Sequence, residues 1–174
     1  LGITEQLNSK LQENNLVTPT AVQTKVIPEI LENKSLLFQS ETGTGKTFAF
    51  LLPILQNINE EDKSVQAIIL SPTHELSSQI KGEIQKISNY KTMLCIGGTP
   101  LKRQIETLKE KPKVVIGSPV RIKELIFLKK LKVQGVKTIV FDEIDRLIEP
   151  EIRDETIDLL KLLNSDVQLI GCSA

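Results

Sequence analysis

Ser40-Glu41-Thr42-Gly43-Thr44-Gly45-Lys46-Thr47 lies between a short apolar segment, residues 36–39, and a longer one that starts at Phe48. The order of strand, glycine-rich loop and apolar helix is typical of a phosphate-binding loop. The glycines let successive backbone N–H groups turn toward one anion, and the N-terminus of the following helix adds unpaired donors and the positive end of its dipole. We therefore expect this loop to bind the phosphates of a nucleotide.

Two side chains of the loop have separate expected roles. Lys46 places a positive charge near the β- and γ-phosphates, and the Thr47 hydroxyl is placed to ligate Mg²⁺. Ser40 occupies the position of the motif's usual first glycine, so the strict pattern is missed by one small residue. A glycine-rich turn that only caps a helix is the alternative, and the strand–loop–helix context argues against it. The expected nucleotide-binding residues in the loop are Thr42, Gly43, Thr44, Gly45, Lys46 and Thr47.

A pair of acidic residues, Asp142-Glu143, directly follows the apolar run at residues 138–141. In nucleotide-hydrolysing proteins with a phosphate loop, an acidic residue at the end of a buried strand holds the Mg²⁺. A neighbouring carboxylate can orient the attacking water and accept its proton. We expect Asp142 to hold the metal through water and Glu143 to be the general base, with Lys46 completing the catalytic set. Taken alone, such a pair is more often a strand end that faces solvent.

The rhythm of the chain predicts an α/β fold in a single domain. Segments such as 73–88 and 119–128 carry apolar residues at spacings of three and four, which is typical of helices. Strands that are apolar on both faces and alternate with helices indicate a mostly parallel sheet covered by helices on both faces. Ligands of such sheets bind beyond the carboxyl ends of the strands, where every candidate motif falls. The predicted strands are residues 35–39, 67–70, 92–96, 114–116, 138–141 and 168–172.

Composition limits the possible functions. Lys+Arg and Asp+Glu both number 22, so the formal net charge is zero. A protein that held nucleic acid by bulk electrostatics would be basic, so any such contact must come from a few placed donors. Cys95 and Cys172 lie in apolar runs without metal-ligand spacing, which predicts buried, reduced thiols in a cytoplasmic protein. The longest apolar run, residues 48–55, is far too short for a membrane span.

The N-terminal flank, residues 1–33, has its own helical signals before the core at 34–174. Residues 4–14 read as a helix, and Asn15 is a suitable left-handed stop. Thr20 is expected to cap a second helix that runs through Ile27 and is interrupted at Pro28.

With these motifs in place, the chain resembles the N-terminal RecA-like domain of DEAD-box ATP-dependent RNA helicases over essentially its whole length. Each short motif is weak alone, but seven occur in family order. They are PTAVQ at 19–23 (Q motif), SETGTGKT at 40–47 (motif I), SPTHEL at 71–76 (motif Ia), GG at 97–98, SPVR at 118–121 (motif Ib), DEID at 142–145 (motif II) and SA at 173–174 (start of motif III).

The resemblance implies ATP and Mg²⁺ as cofactors and RNA as a partner that is held by its backbone. Gln23 would select adenine, because a carboxamide can pair with adenine's N6 and N7. From spacing alone, Gln23 would be a polar residue on a solvated helix face. Asp145 would bridge to Ser173 and couple the nucleotide site to motif III, whereas its plainer role is helix capping. The implied RNA-binding residues are Pro72, Thr73, His74, Gly97, Gly98, Ser118 and Arg121.

Four positions depart from the family pattern. His74 replaces a usual arginine, which exchanges a permanent charge for a titratable ring. Val120 replaces a glycine in motif Ib, Ile144 replaces the alanine of motif II, and Asn15 replaces a common glycine of the Q motif. The residues for ATP are intact while those that face RNA are altered, so nucleotide chemistry is the more firmly indicated function.

We expect this chain to be one excised, monomeric domain of a longer, soluble protein. The family's second, C-terminal RecA-like domain, whose arginines reach the γ-phosphate, would be its main partner, and the family's adenine-stacking aromatic would fall just before Leu1. Two other functions remain open at this stage. One is a P-loop translocase that acts on DNA, and the other is a nucleotide-responsive RNA- or protein-binding module that has lost unwinding.

Overall fold

A six-stranded parallel sheet forms the centre of the computed structural model, which describes residues 1–174. Every strand lies within one residue of its predicted position, which confirms the predicted α/β class. The strands are β1 (Leu36–Gln39), β2 (Ala67–Leu70), β3 (Thr92–Cys95), β4 (Val114–Gly117), β5 (Thr138–Asp142) and β6 (Gln168–Ser173). Their order in the sheet is β1-β6-β5-β2-β4-β3.

Helices cover both faces of the sheet. One face packs against the first four helices and the other against the last four. The helices are α1 (Glu5–Glu13), α2 (Ala21–Leu31), α3 (Lys46–Gln56), α4 (His74–Ile87), α5 (Leu101–Leu108), α6 (Pro119–Phe127), α7 (Ile144–Leu147) and α8 (Arg153–Lys161).

The central strands are apolar throughout because each contributes to two cores. All four residues of β2 are buried: Ile69 belongs to the core under α2, α3 and α4, whereas Ile68 and Leu70 belong to the core under α6, α7 and α8. Burial on both faces is the reason that the strand sequences are continuously hydrophobic rather than alternating. Because all six strands are parallel, their carboxyl ends meet at one edge of the sheet, where the candidate motifs lie.

The prediction that the second helix is interrupted at Pro28 is wrong, because α2 continues through this residue to Leu31. A proline in a helix interior removes one hydrogen bond and costs about 3 kcal/mol. Ile27 and Ile30 are fully buried in the core on either side of it, and their packing outweighs that cost. The helix after the phosphate loop likewise begins at Lys46, two residues before the predicted apolar start, and includes Pro53.

The predicted left-handed stop after the first helix is confirmed, and Thr4, predicted as its first residue, is its cap. Thr4 caps α1 by accepting a hydrogen bond from the Leu7 N–H. Asn15 has φ 60°, and the Leu16 N–H donates to the Leu11 carbonyl at 2.8 Å. This left-handed residue and the backward hydrogen bond end the helix in the manner of a Schellman motif.

The N-terminal flank is joined to the sheet by a buried glutamine at the start of β6. The Gln168 amide nitrogen donates to the carbonyls of Ile30 at 3.1 Å and Lys34 at 2.8 Å. Its amide oxygen accepts a hydrogen bond from the Thr138 hydroxyl at 2.9 Å. The end of α2 and the amino ends of β1, β5 and β6 are therefore fixed together.

Both cysteines are buried and unpaired, as predicted. Burial raises the pKa of the Cys95 thiol to about 12. None of the eight helices combines the length and the hydrophobicity that crossing a bilayer requires.

Candidate functional site

The phosphate loop follows β1 and ends at an open helix N-terminus. Gly43 and Gly45 have φ values of 84° and 82°, a backbone conformation that residues other than glycine rarely adopt. Gly45 is the N-cap residue of α3, and no side chain accepts a hydrogen bond from the first turn of this helix. The first N–H groups of α3 are therefore available to an anion, together with the positive end of the helix dipole.

Two hydroxyl groups stabilise the loop from within. The Thr44 hydroxyl donates to the Glu41 carbonyl at 2.5 Å and is also in contact with the Ser40 hydroxyl. The Ser40 N–H donates to the Ser173 carbonyl at 3.0 Å. Ser40, which departs from the usual glycine, thus gives the loop a side-chain contact that glycine lacks. Its main-chain N–H connects the loop to the end of β6.

Gln23 contacts the phosphate loop directly. Its amide oxygen accepts from the Thr20 N–H at 3.0 Å, and its amide nitrogen donates to the Gly45 carbonyl at 3.1 Å. The Thr20 hydroxyl in turn accepts from the Gln23 N–H, which completes a capping box at the start of α2. Each amide atom retains one further hydrogen-bonding position, so adenine selection by Gln23 stays a prediction. The solvated-face interpretation is wrong, since the half-buried side chain is bonded at both ends.

Asp142 lies at the carboxyl end of β5 and is only 6% exposed. The Cys172 thiol donates to its Oδ1 atom at 3.2 Å. Burial raises the pKa of the Asp142 carboxyl above its ordinary value, while the Cys172 hydrogen bond and the Lys46 charge act in the opposite direction. Burial and then the Asp142 charge raise the pKa of the Cys172 thiol, so its proton stays on sulfur and remains available for donation.

Glu143 adopts an uncommon backbone conformation beside Asp142. Its φ is 52°, in the left-handed region, and it is the N-cap residue of α7. Non-glycine residues in this region are rare and cluster at functional sites. Its carboxylate lies 3.3 Å from the Arg146 guanidinium. Arg146 was missed in the sequence analysis, although its spacing of three residues from Glu143 in a helix is a readable signal.

These residues fit a nucleotide with Mg²⁺. No group of three or more His, Cys, Asp and Glu side chains is arranged so that it could hold a metal ion by itself. Mg²⁺ does not need one, because it keeps several waters and binds through one or two protein oxygens plus phosphate oxygens. A buried carboxylate whose close side-chain partner is a neutral thiol, Asp142, matches that requirement, and the Thr47 hydroxyl lies in the first turn of α3.

The predicted RNA-binding loops lie at the same edge of the sheet, after β2, β3 and β4. Thr73 caps α4 through the Leu76 N–H at 3.2 Å, and Ser118 caps α6 through the Arg121 N–H at 3.3 Å. His74 is exposed and Pro72 is partly exposed. A side-chain carbon added at Gly97 or Gly98 would meet no atom within 4 Å, so another backbone can approach these glycines closely. Their contacts with RNA stay a prediction.

The Arg121 side chain is already engaged within the protein. Its Nη1 atom donates to the Thr99 carbonyl at 3.0 Å and to Gln104 Oε1 at 2.9 Å, and its Nε atom lies 3.2 Å from Glu124. The buried Gln104 amide also donates to the Ile96 carbonyl at 2.8 Å. Arg121 therefore braces the loop that follows the paired glycines. Sequence reasoning missed Gln104, although its spacing places it on the apolar side of α5.

The structure contains no hydrogen bond between Asp145 and Ser173. The Asp145 side chain is exposed, and the Ser173 carbonyl accepts the Ser40 N–H. Coupling through this pair stays a prediction. The link that is present between β6 and the phosphate loop is made by the main chain.

Two family departures have a structural description. Ile144 packs over Gly171, where an added side-chain carbon would lie 2.9 Å from Ile144 Cδ1. The extra bulk of isoleucine is therefore accommodated by a glycine on β6. Val120 is half exposed in the first turn of α6, so its side chain faces solvent.

Comparison with known proteins agrees with this site. The family model for the DEAD/DEAH box helicase matches residues 20–174. The chain is 46% identical over 158 residues to the DEAD-box ATP-dependent RNA helicase CshC of Bacillus cereus, covering 89% of this chain and 41% of that protein. It is 42% identical over 173 residues to the probable ATP-dependent RNA helicase YfmL of Bacillus subtilis, covering 95% of this chain and 46% of that protein.

A solved structure has the same fold over the whole chain. It is that of a DEAD box protein from the hyperthermophile Methanococcus jannaschii, with a TM-score of 0.93 and 30% sequence identity. The match covers 100% of this chain and 48% of that chain. The chain also spans less than half the length of the two Bacillus helicases described above.

Proposed function

Since the chain belongs to the DEAD/DEAH box helicase family, we propose that it is the ATP-binding, N-terminal RecA-like domain of an ATP-dependent RNA helicase. The full-length protein would couple the binding and hydrolysis of Mg²⁺–ATP to the unwinding of RNA duplexes or the remodelling of RNA–protein complexes. The observation that carries this proposal is the open N-terminus of α3, whose first residue, Lys46, is close enough to Asp142 for its charge to oppose the rise that burial causes in the pKa of that carboxyl. The buried, unpaired cysteines agree with a reducing, cytoplasmic location.

The residues at the phosphate loop divide the work of binding ATP. The free N–H groups of the loop and of the first turn of α3 donate to the phosphates, and Lys46 supplies the positive charge. Thr47 and Asp142 would hold Mg²⁺, which when bound neutralises charge on the phosphate oxygens. Gln23 would contact the adenine while its existing hydrogen bond to Gly45 keeps the loop in register with α2.

Glu143 is the residue that would accept a proton from the attacking water. Its backbone is left-handed, and its carboxylate lies 3.3 Å from the Arg146 guanidinium, which holds it in place. An ionised carboxylate is the form that a general base requires. The role of Arg146 in this scheme is to position the Glu143 carboxylate.

RNA would lie across the loops after β2, β3 and β4, on the same sheet edge as the ATP site. Two capped helix N-termini and an unobstructed pair of glycines support this placement, because helix N-termini and bare backbone bind phosphates. The zero net charge agrees with contacts that are few and placed. A second RecA-like domain, in the part of the relatives that this chain does not span, would close over both ligands.

Replacing Lys46 tests the proposed function most directly. Lys46→Ala in the full-length protein is expected to abolish measurable ATP binding in isothermal titration calorimetry, because the loop loses its only positive charge. The melting temperature without ligand should not change, since Lys46 makes no ion pair in the structure. Lys161→Ala, at the exposed end of α8, is the matched control and should bind ATP normally. ATP affinity in Lys46→Ala equal to that of the wild type would refute the proposal.

Gln23 is expected to discriminate adenine from guanine. Gln23→Ala in the full-length protein should weaken ATP about tenfold more than GTP, because a bidentate amide–adenine pair is worth about 1–3 kcal/mol. Both nucleotides should also lose a common factor, since the hydrogen bond to the Gly45 carbonyl disappears. Competition binding with both nucleotides measures the two effects.

Thr20→Ala is the matched control for this experiment. It removes the helix cap at a cost of about 1 kcal/mol but leaves the Gln23 amide in place. It should therefore weaken ATP and GTP equally. An equal loss of both nucleotides in Gln23→Ala as well would mean that Gln23 only supports the loop.

A further inference from the structure

Ser71 is a buried serine whose hydroxyl has no hydrogen-bond partner. It follows β2 directly, is 1% exposed, and its Oγ atom contacts no donor or acceptor in the protein. Its N–H continues the sheet by donating to the Gly117 carbonyl at 3.0 Å. Buried hydroxyl groups without a partner are rare and destabilising, so this one requires a structural or functional explanation.

The sheet register places Ser71 beside Asp142. Leu70 pairs with Phe141, so the next residues along the two strands, Ser71 and Asp142, are neighbours. Side chains alternate along strands, and Ile69 and Val140, two residues earlier, both belong to the core under α3. Ser71 and Asp142 therefore lie on the same side of the sheet as the phosphate loop.

Asp142 thus lies between two potential donors on neighbouring strands. On one side, β6 provides the Cys172 thiol, which is bonded to Oδ1 at 3.2 Å. On the other side, β2 ends at Ser71, whose hydroxyl is unused. A hydroxyl is a stronger donor than a thiol, and it can donate and accept at once.

We propose that Ser71 is a positioning residue for Mg²⁺, whose hydroxyl hydrogen bonds to the metal-bound water that Asp142 also holds. The inference rests on the proposed function, since it needs a metal at Asp142. Groups that orient the ligands of a metal without touching it contribute strongly to metal affinity, and their loss typically weakens binding by about 10–100-fold. Ser71 acts through water and Asp142 and does not touch the reacting atoms.

The unused hydroxyl gives Ser71→Ala an unusual pair of expected effects. Without ligand, the melting temperature should stay the same or rise, because the variant removes a buried polar group that has no partner. With nucleotide, the Mg²⁺ concentration at half-maximal binding should increase about tenfold. Nucleotide binding in excess EDTA should be unchanged, because the phosphate loop is intact. Melting curves and fluorescent-nucleotide titrations of the full-length protein against Mg²⁺ provide these readouts.

Thr138→Val is the matched control, since Thr138 is also a buried hydroxyl on the sheet but lies at the opposite end of β5. Its hydroxyl is bonded to Gln168, so its removal should lower the melting temperature and leave the Mg²⁺ midpoint unchanged. A Ser71→Ala protein with an unchanged Mg²⁺ midpoint would overturn the inference. Wild-type protein that binds nucleotide without any dependence on Mg²⁺ would instead contradict the proposed function itself.

Discussion

The 174-residue chain, purified on its own, is expected to hydrolyse ATP roughly 10³–10⁵-fold more slowly than the full-length protein. The transition state of phosphoryl transfer needs cationic stabilisation at the γ-phosphate, which an arginine commonly supplies. Arg121 is bonded to Thr99 and Gln104, and Arg146 is held by Glu143. The two remaining arginines are exposed on α5 and α8, which cover the face of the sheet opposite to α3. Lys46 and one Mg²⁺ do not replace the missing charge.

Steady-state phosphate release from the chain, with and without RNA, measures this deficit. RNA should not stimulate the residual turnover, because stimulation in the proposed mechanism requires a second domain to close around both ligands. The full-length protein, assayed in parallel, is the reference, and Lys46→Ala gives the background. Turnover of the chain near about 1 s⁻¹, the low end for ordinary phosphoryl-transfer enzymes, would show that it carries a complete active site.

Glu143→Gln in the full-length protein is expected to lower ATP turnover by about 10²–10⁴-fold, the usual contribution of a positioned general base. Glutamine has nearly the same shape but does not accept a proton from water at neutral pH. ATP affinity should remain within a few-fold of wild type, because Glu143 is not expected to contact the nucleotide directly. Single-turnover hydrolysis and equilibrium ATP binding separate the two quantities.

Glu149→Gln is the matched control for this substitution. Glu149 is an exposed carboxylate just after α7, so the same chemical change there should leave turnover unaffected. If Glu143→Gln kept more than about a tenth of wild-type turnover, the general base would have to be another group. Loss of ATP binding in Glu143→Gln would point instead to a role in holding the metal.

The sheet was predictable because its strands are buried on both faces. A run such as Ala67–Leu70 has no polar residue, and between helical segments such a run fits only the middle of a covered parallel sheet. The phosphate loop and the acidic pair were predictable for a related reason. Their residue types serve backbone geometry and charge, and these requirements are written locally in the sequence.

Features that depend on tertiary contacts were not predictable. The sequence shows that a proline at position 28 removes a hydrogen bond from a helix. It does not show that Ile27 and Ile30 pack against residues far along the chain, which outweighs the free-energy cost of that loss. The engagement of Arg121 by Gln104 joins two helices, so no single segment carries that information. The positions of the site residues at the sheet edge follow from the fold, but the identity of their partners does not.

The attachment of the N-terminal flank decides how short this domain can be made. The phosphate-loop core starts at residue 34, yet this position is not a safe place to begin an expressed fragment, because α2 lies before it. A chain starting at residue 34 would expose the core surface that Val26, Ile27 and Ile30 cover, and would leave the Gln168 amide without the Ile30 carbonyl. The smallest unit that folds is therefore expected to include α2, whose buried side chains belong to the same core as the strands that carry the motifs.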